Sequence, residues 1–72
     1  MFNENLLRSA LAEIGMKMSE LAELMGISLS ALYNKVNGNS DFTRSEIQTA
    51  AEVFGWNKAN AIFFGMKKGG KQ

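Results

Sequence analysis

Ser30, Tyr33 and Asn34 fall together in the stretch GISLSALYNKVNG, residues 26 to 38, and each side chain can donate and accept a hydrogen bond. An asparagine amide can pair with two atoms of an adenine edge, and a serine hydroxyl can bond to several bases or to a phosphate. Leu29, the first residue after a capping Ser28, offers a base no hydrogen bond; it can touch a thymine methyl or another apolar surface. The stretch has the punctuation of a helix that enters a DNA groove, with an apolar residue at its leading end.

Catalytic chemistry finds no footing. The chain has no cysteine and no histidine, which removes disulfides, thiolate zinc sites, imidazole bases and His-centred triads. Glu20 and Glu23 stand three apart, a start for a metal site, but no histidine or third ligand joins them, so they read as exposed helix acids. No Gly-rich phosphate loop follows a strand, and no nucleophile stands beside a base. Neither an enzyme nor a cofactor is expected.

The elements that hold these side chains must come from a small chain. Seventy-two residues, 46% of them apolar, suffice for one domain and one core, held by packing alone. The longest apolar runs, such as NAIFFGM, are too short to span a bilayer, and MFNENLLRSA lacks a basic segment followed by an apolar one. The chain therefore reads as cytosolic. Its formal charge of +1 depends on Lys67, Lys68 and Lys71 in the tail KKGGKQ, which reads as a flexible, solubilising basic end. Before that tail, Arg8, Lys17, Lys35, Arg44 and Lys58 face seven acids, a net −2 that attracts a polyanion poorly.

Apolar spacing from Leu7 through Leu11 to Ile14, closed by Gly15, predicts a first helix over residues 5 to 14. Met18, Leu21, Ala22 and Met25 form the face of a second, ended by Gly26. Ser28 caps a third, in which Leu32 and Val36 point to the core and which stops at Asn37-Gly38. Thr43 and Glu46 make a T-x-x-E capping box for a fourth helix through Ile47, Ala50, Ala51 and Phe54, and Gly55 closes it. Asn57 can cap a short fifth helix ending in Ile62, Phe63 and Phe64. With no proline, no repeat and no strand-like alternation, the chain reads as an all-α, compact five-helix domain over residues 1 to 66, with the tail at 67 to 72.

Ala22, Gly26, Ser28 and Leu32 spell A-x-x-x-G-x-S-x-x-x-L, with small residues where two helices joined by a tight turn approach each other. Together with the N-G after the third helix and the F-T-x-x-E-I opening of the fourth, this resembles the helix-turn-helix of the lambda-repressor-like superfamily over about residues 5 to 64. The motif itself takes about residues 17 to 37, with Ala22, Gly26, Leu32 and Val36 as its structural residues. Nearer likenesses are the small Cro-like regulators of Gram-positive phages. These include operator binders and also antirepressors, called modulators of repression, that act on a partner repressor.

The resemblance implies a role in a phage or prophage lysis–lysogeny decision, in the cytoplasm of a bacterial host, with two possible ligands. In the operator-binding reading, the third helix lies in the major groove of double-stranded DNA and Ser30, Tyr33 and Asn34 read bases, while Lys17, Lys35, Asn37, Asn39 and Arg44 hold phosphates. Relatives commonly carry Gln, Arg or Lys where Leu29 stands, and begin the second helix with Ser or Thr followed by Gln; here the pair is Lys17-Met18. Met18 donates no hydrogen bond. In the antirepressor reading, Met18, Leu29, Ser30, Tyr33 and Asn34 form a face for a phage repressor protein. The superfamily also implies a possible homodimer through the C-terminal part, with Phe63 or Phe64 at its contact. Membrane and small-molecule partners are not expected.

Overall fold

The computed structural model describes residues 2–64; Met1 and residues 65–72 lie outside the described residues, and the expected tail falls there. Five α-helices follow in order: α1 Glu4–Ile14, α2 Met18–Met25, α3 Leu29–Val36, α4 Arg44–Phe54 and α5 Trp56–Phe64, with no strand among the described residues.

Each start and stop has a local cause. Asn3 Oδ1 accepts the Leu6 N–H at 3.0 Å, so α1 opens one residue earlier than its apolar spacing suggests. At its other end the Met16 N–H reaches back to the Leu11 carbonyl at 2.9 Å. The chain reverses there, and Ile14, expected on the buried row, is left exposed.

Gly26 has φ 77°, and the Ile27 N–H returns to the Ala22 carbonyl at 3.0 Å. An added Cβ at Gly26 would meet nothing within 4 Å. The expectation that Gly26 serves close approach of two backbones is thus corrected: it is needed for its left-handed angle. Ala22, four residues earlier, is buried and does fill the tight place.

The junction of α4 and α5 departs further from expectation. Gly55 has φ 94° and ψ 152°, a region essentially closed to residues with a side chain. Its carbonyl accepts the Ala59 N–H at 3.0 Å, so α5 starts at once at Trp56. Asn57, expected as the cap, lies inside the first turn of α5 and is exposed. One glycine makes the corner and no capping side chain is required.

α4 packs on α5 and α2, α2 on α3, and α1 on α5. Leu7, Leu21, Leu32 and Ile62 are the fully buried large side chains at the centre. Removing one of these by substitution with alanine costs about 2–5 kcal/mol in comparable cores. Phe2, Phe42 and Phe63 close one side, with ring centroids 4.9 to 5.6 Å apart, and the Asn3 N–H donates to the Ile62 carbonyl at 2.6 Å. An ion pair between Lys58 and Glu13 ties α5 to α1 at the surface.

Candidate functional site

α3 is set by its buried side. Leu32 and Val36 are in the core, and Ser28 Oγ accepts the Ala31 N–H at 3.0 Å, fixing where the helix begins. The opposite side then presents two rows, because residues four apart on a helix are neighbours. Leu29 and Tyr33 make an apolar row, 39% and 37% exposed. Ser30 and Asn34 make a polar row beside it, also exposed. The structure thus brings together the expected base-reading residues and Leu29.

The expected phosphate contacts are placed less uniformly. Asn37 and Asn39 follow directly on α3, with their backbone N–H groups bonded to the carbonyls of Tyr33 (2.9 Å) and Asn34 (2.8 Å), and both residues are exposed. Lys17 is exposed at the start of α2. Arg44 is exposed at the start of α4 and lines a groove between α4 and α5.

Lys35 is a correction. It was expected to support phosphate binding, but its side chain is only 12% exposed and its Nζ sits 3.1 Å from Glu46 Oε1. The same ammonium donates to the Asp41 carbonyl at 2.8 Å. Its charge is committed within the fold, stapling the end of α3 to the loop before α4 and to α4 itself.

Glu46 receives this charge while nearly buried. Burial alone raises its pKa, but the Thr43 N–H bond, the Lys35 ammonium and the Thr43 side chain together outweigh it, and the carboxyl is held below its ordinary value. The T-x-x-E spacing accounts for Glu46 as a cap; nothing in local spacing points to Lys35 as its partner.

The apolar residues expected on this face divide. Met18 is half-buried and packs against the core, as does the neighbouring Met16. Leu29 and Tyr33 remain outward. At the other end of the chain, Ile62 and Phe63 are buried, whereas Trp56 and Phe64 are 55% and 48% exposed. Phe63, one of the two residues expected at a homodimer contact, is therefore core, held by Phe2 and Phe42.

Among the described residues no group of three His, Cys, Asp or Glu side chains could hold a metal ion. No helix among them is long and apolar enough to cross a membrane. What the described arrangement presents at α3 is a set of exposed apolar and polar side chains side by side.

Comparison with known protein families gives a match between residues 3–71 and the BetR domain. Comparison with curated proteins and with solved structures gives no match.

Proposed function

The chain belongs to the BetR domain family, a helix-turn-helix family of the DNA-binding type, and from that premise we propose that it is a regulator of a phage or prophage lysis–lysogeny switch whose α3 face docks on the DNA-binding domain of a phage repressor. Occupying that domain would keep the repressor from its operator, inside the bacterial host cell. The observation that carries this reading is the outward row Leu29 and Tyr33. Full burial of a leucine-sized side chain is worth about 1.5–3 kcal/mol, and a protein surface can supply the part that the remaining exposure of Leu29 and Tyr33 leaves, whereas a DNA groove offers an apolar side chain little beyond thymine methyls. Two further observations agree with it: Lys35 is spent on Glu46 and Asp41, and the residues before the tail carry more acids than bases.

A second reading is favoured by the polar row. Ser30 and Asn34 are exposed beside Leu29 and Tyr33, positions from which a helix in the major groove reads bases. In that reading the protein is a Cro-like operator-binding dimer, with Tyr33 also at the bases and Lys17, Asn37, Asn39 and Arg44 on phosphates.

Fluorescence anisotropy separates the two. Labelled DNA from the control region beside the gene, scrambled DNA and the DNA-binding domain of the neighbouring repressor are each titrated with the protein at two salt concentrations. The protein-docking reading expects saturable binding to the repressor domain, lost in Leu29→Asp with helical circular dichroism unchanged. Tight binding that prefers control-region DNA and weakens with salt, together with an indifferent Leu29→Asp, would establish operator binding instead.

A further inference from the structure

Of the seven asparagines in the chain, only Asn37 is followed by glycine. Asn5, Asn34, Asn57 and Asn60 lie inside helices, and Asn3 is engaged as the cap of α1. Asn37 stands exposed at the C-terminal end of α3, with the exposed Gly38 after it. Gly38 has φ 87°, and an added Cβ there would meet nothing within 4 Å. Its nitrogen has no side chain beside it, and its backbone swings at little cost.

This pair can react with itself. The Gly38 nitrogen attacks Asn37 Cγ: a C–N bond forms, the bond from Cγ to the amide nitrogen breaks, and the Gly38 proton leaves with that nitrogen as ammonia. The product is a five-membered imide. Water then opens it at either carbonyl, the hydroxyl going to the carbon and the proton to the Gly38 nitrogen. Opening at Cγ leaves aspartate; opening at the backbone carbonyl leaves isoaspartate, with one more carbon in the main chain. In both cases one water enters, one ammonia leaves, and a neutral side chain becomes a carboxylate.

The fold holds the reaction back. Asn37 has ψ −3°, which turns the Gly38 nitrogen toward Asn37's own nitrogen and away from its side chain. The Gly38 N–H donates to the Lys35 carbonyl at 3.2 Å and the Asn39 N–H to the Asn34 carbonyl at 2.8 Å. Lys35 Nζ clamps the far side of the turn through the Asp41 carbonyl and Glu46. We propose that Asn37 is a self-modification site, gated by opening of this clasp, that adds a negative charge to the binding face of α3.

The modification stands on the turn alone; its effect on binding rests on the reading of α3 as the binding face. Leu29, Tyr33 and Asn37 follow at intervals of four, so the charge lands at the end of the outward row. On a repressor surface that holds phosphates, and is therefore cationic, the charge tightens binding. On DNA it faces a phosphate and loosens it.

Peptide mapping by mass spectrometry tests the site, with the full chain kept at neutral pH either folded or unfolded in urea. Asn37 gains one dalton, isoaspartate appears beside aspartate, and the unfolded chain reacts several-fold faster than the folded one. Lys35→Met, under conditions where circular dichroism stays helical, reacts faster than wild type. So does Glu46→Gln, which keeps the shape of the clasp and removes its charge. An Asn37 still amidated after another asparagine has reacted, equal rates folded and unfolded, or clasp variants no faster than wild type would each overturn the proposal. Asn37→Asp, titrated against the labelled DNA and the repressor domain, shifts affinity several-fold for the one that wild type binds; an unchanged affinity would overturn the effect on binding. Leu29→Asp tests the α3 reading without touching the turn, so the two fail separately.

Discussion

The starts of α2 and α4 are built on one plan and end in different places. In both, a glutamate three residues into the helix accepts the N–H of the capping residue: Glu20 from Lys17 at 2.8 Å, Glu46 from Thr43 at 2.9 Å. At α4 the exchange is completed, because the Thr43 hydroxyl accepts the Glu46 N–H at 3.2 Å. At α2 it is not, since a lysine side chain has no acceptor to return. The carboxylates also differ in surroundings: Glu20 is exposed, while Glu46 is nearly buried against Lys35. The same four-residue device therefore makes a rigid joint in one place and a lightly held helix start in the other. The light one lies at the entrance to the helix-turn-helix.

Separating the two Glu46 partners gives the largest effect. Lys35→Met leaves a nearly buried carboxylate without its cation and should cost about 3 kcal/mol in urea unfolding. Placed on a Glu46→Gln background the same change should cost much less, and the double-mutant cycle reports the coupling. Equal losses on both backgrounds would mean that Lys35 acts through its packing.

The pH dependence follows from the same residue. Its folded pKa is below its unfolded value, so the stability it contributes is fully present above the unfolded carboxylate range and is lost as pH falls through the folded pKa. Wild type should lose stability on acidification below about pH 4.5 by an amount that Glu46→Gln does not show, measured as the difference between their urea midpoints.

Smaller changes probe the caps themselves. Thr43→Ala removes the reciprocal half of the good cap and should cost about 1 kcal/mol. Lys17→Ser supplies the missing half at α2 and should gain about 0.5–1 kcal/mol, read as a raised thermal midpoint. If Lys17→Ser stabilises and also weakens binding to whichever ligand α3 takes, Lys17 is a contact residue as well as a poor cap.

These contrasts also mark where the sequence was readable. Helix ends announced by a residue's own chemistry, such as Ser28, Thr43 with Glu46 and Gly26, stand where spacing puts them. So does the inward row of Leu32 and Val36, because burial follows helical period. The outward placement of Leu29 and Tyr33 was anticipated from the resemblance rather than from spacing. What escaped depends on how the chain returns to itself. Lys35 meets Glu46 only because the loop between α3 and α4 doubles back, and a long flexible side chain carries no sign of its partner. Phe2, Phe42 and Phe63 come from three separate parts of the sequence, and no local window holds them together. Asn57 misled for the opposite reason: a good capping residue stood next to a glycine whose backbone had already made the turn.

The hydrogen bond from Asn3 to Ile62 has a kinetic meaning. Most helices here pack on a neighbour in the chain, and such contacts can form early, but this bond closes a loop over nearly the whole described sequence, and the entropy of that closure must be met before the contact gives anything back. The Asn3 amide is therefore a sentinel for complete assembly: its exchange with solvent should follow global opening, slow while Phe2, Phe42 and Phe63 stay packed together and released with them.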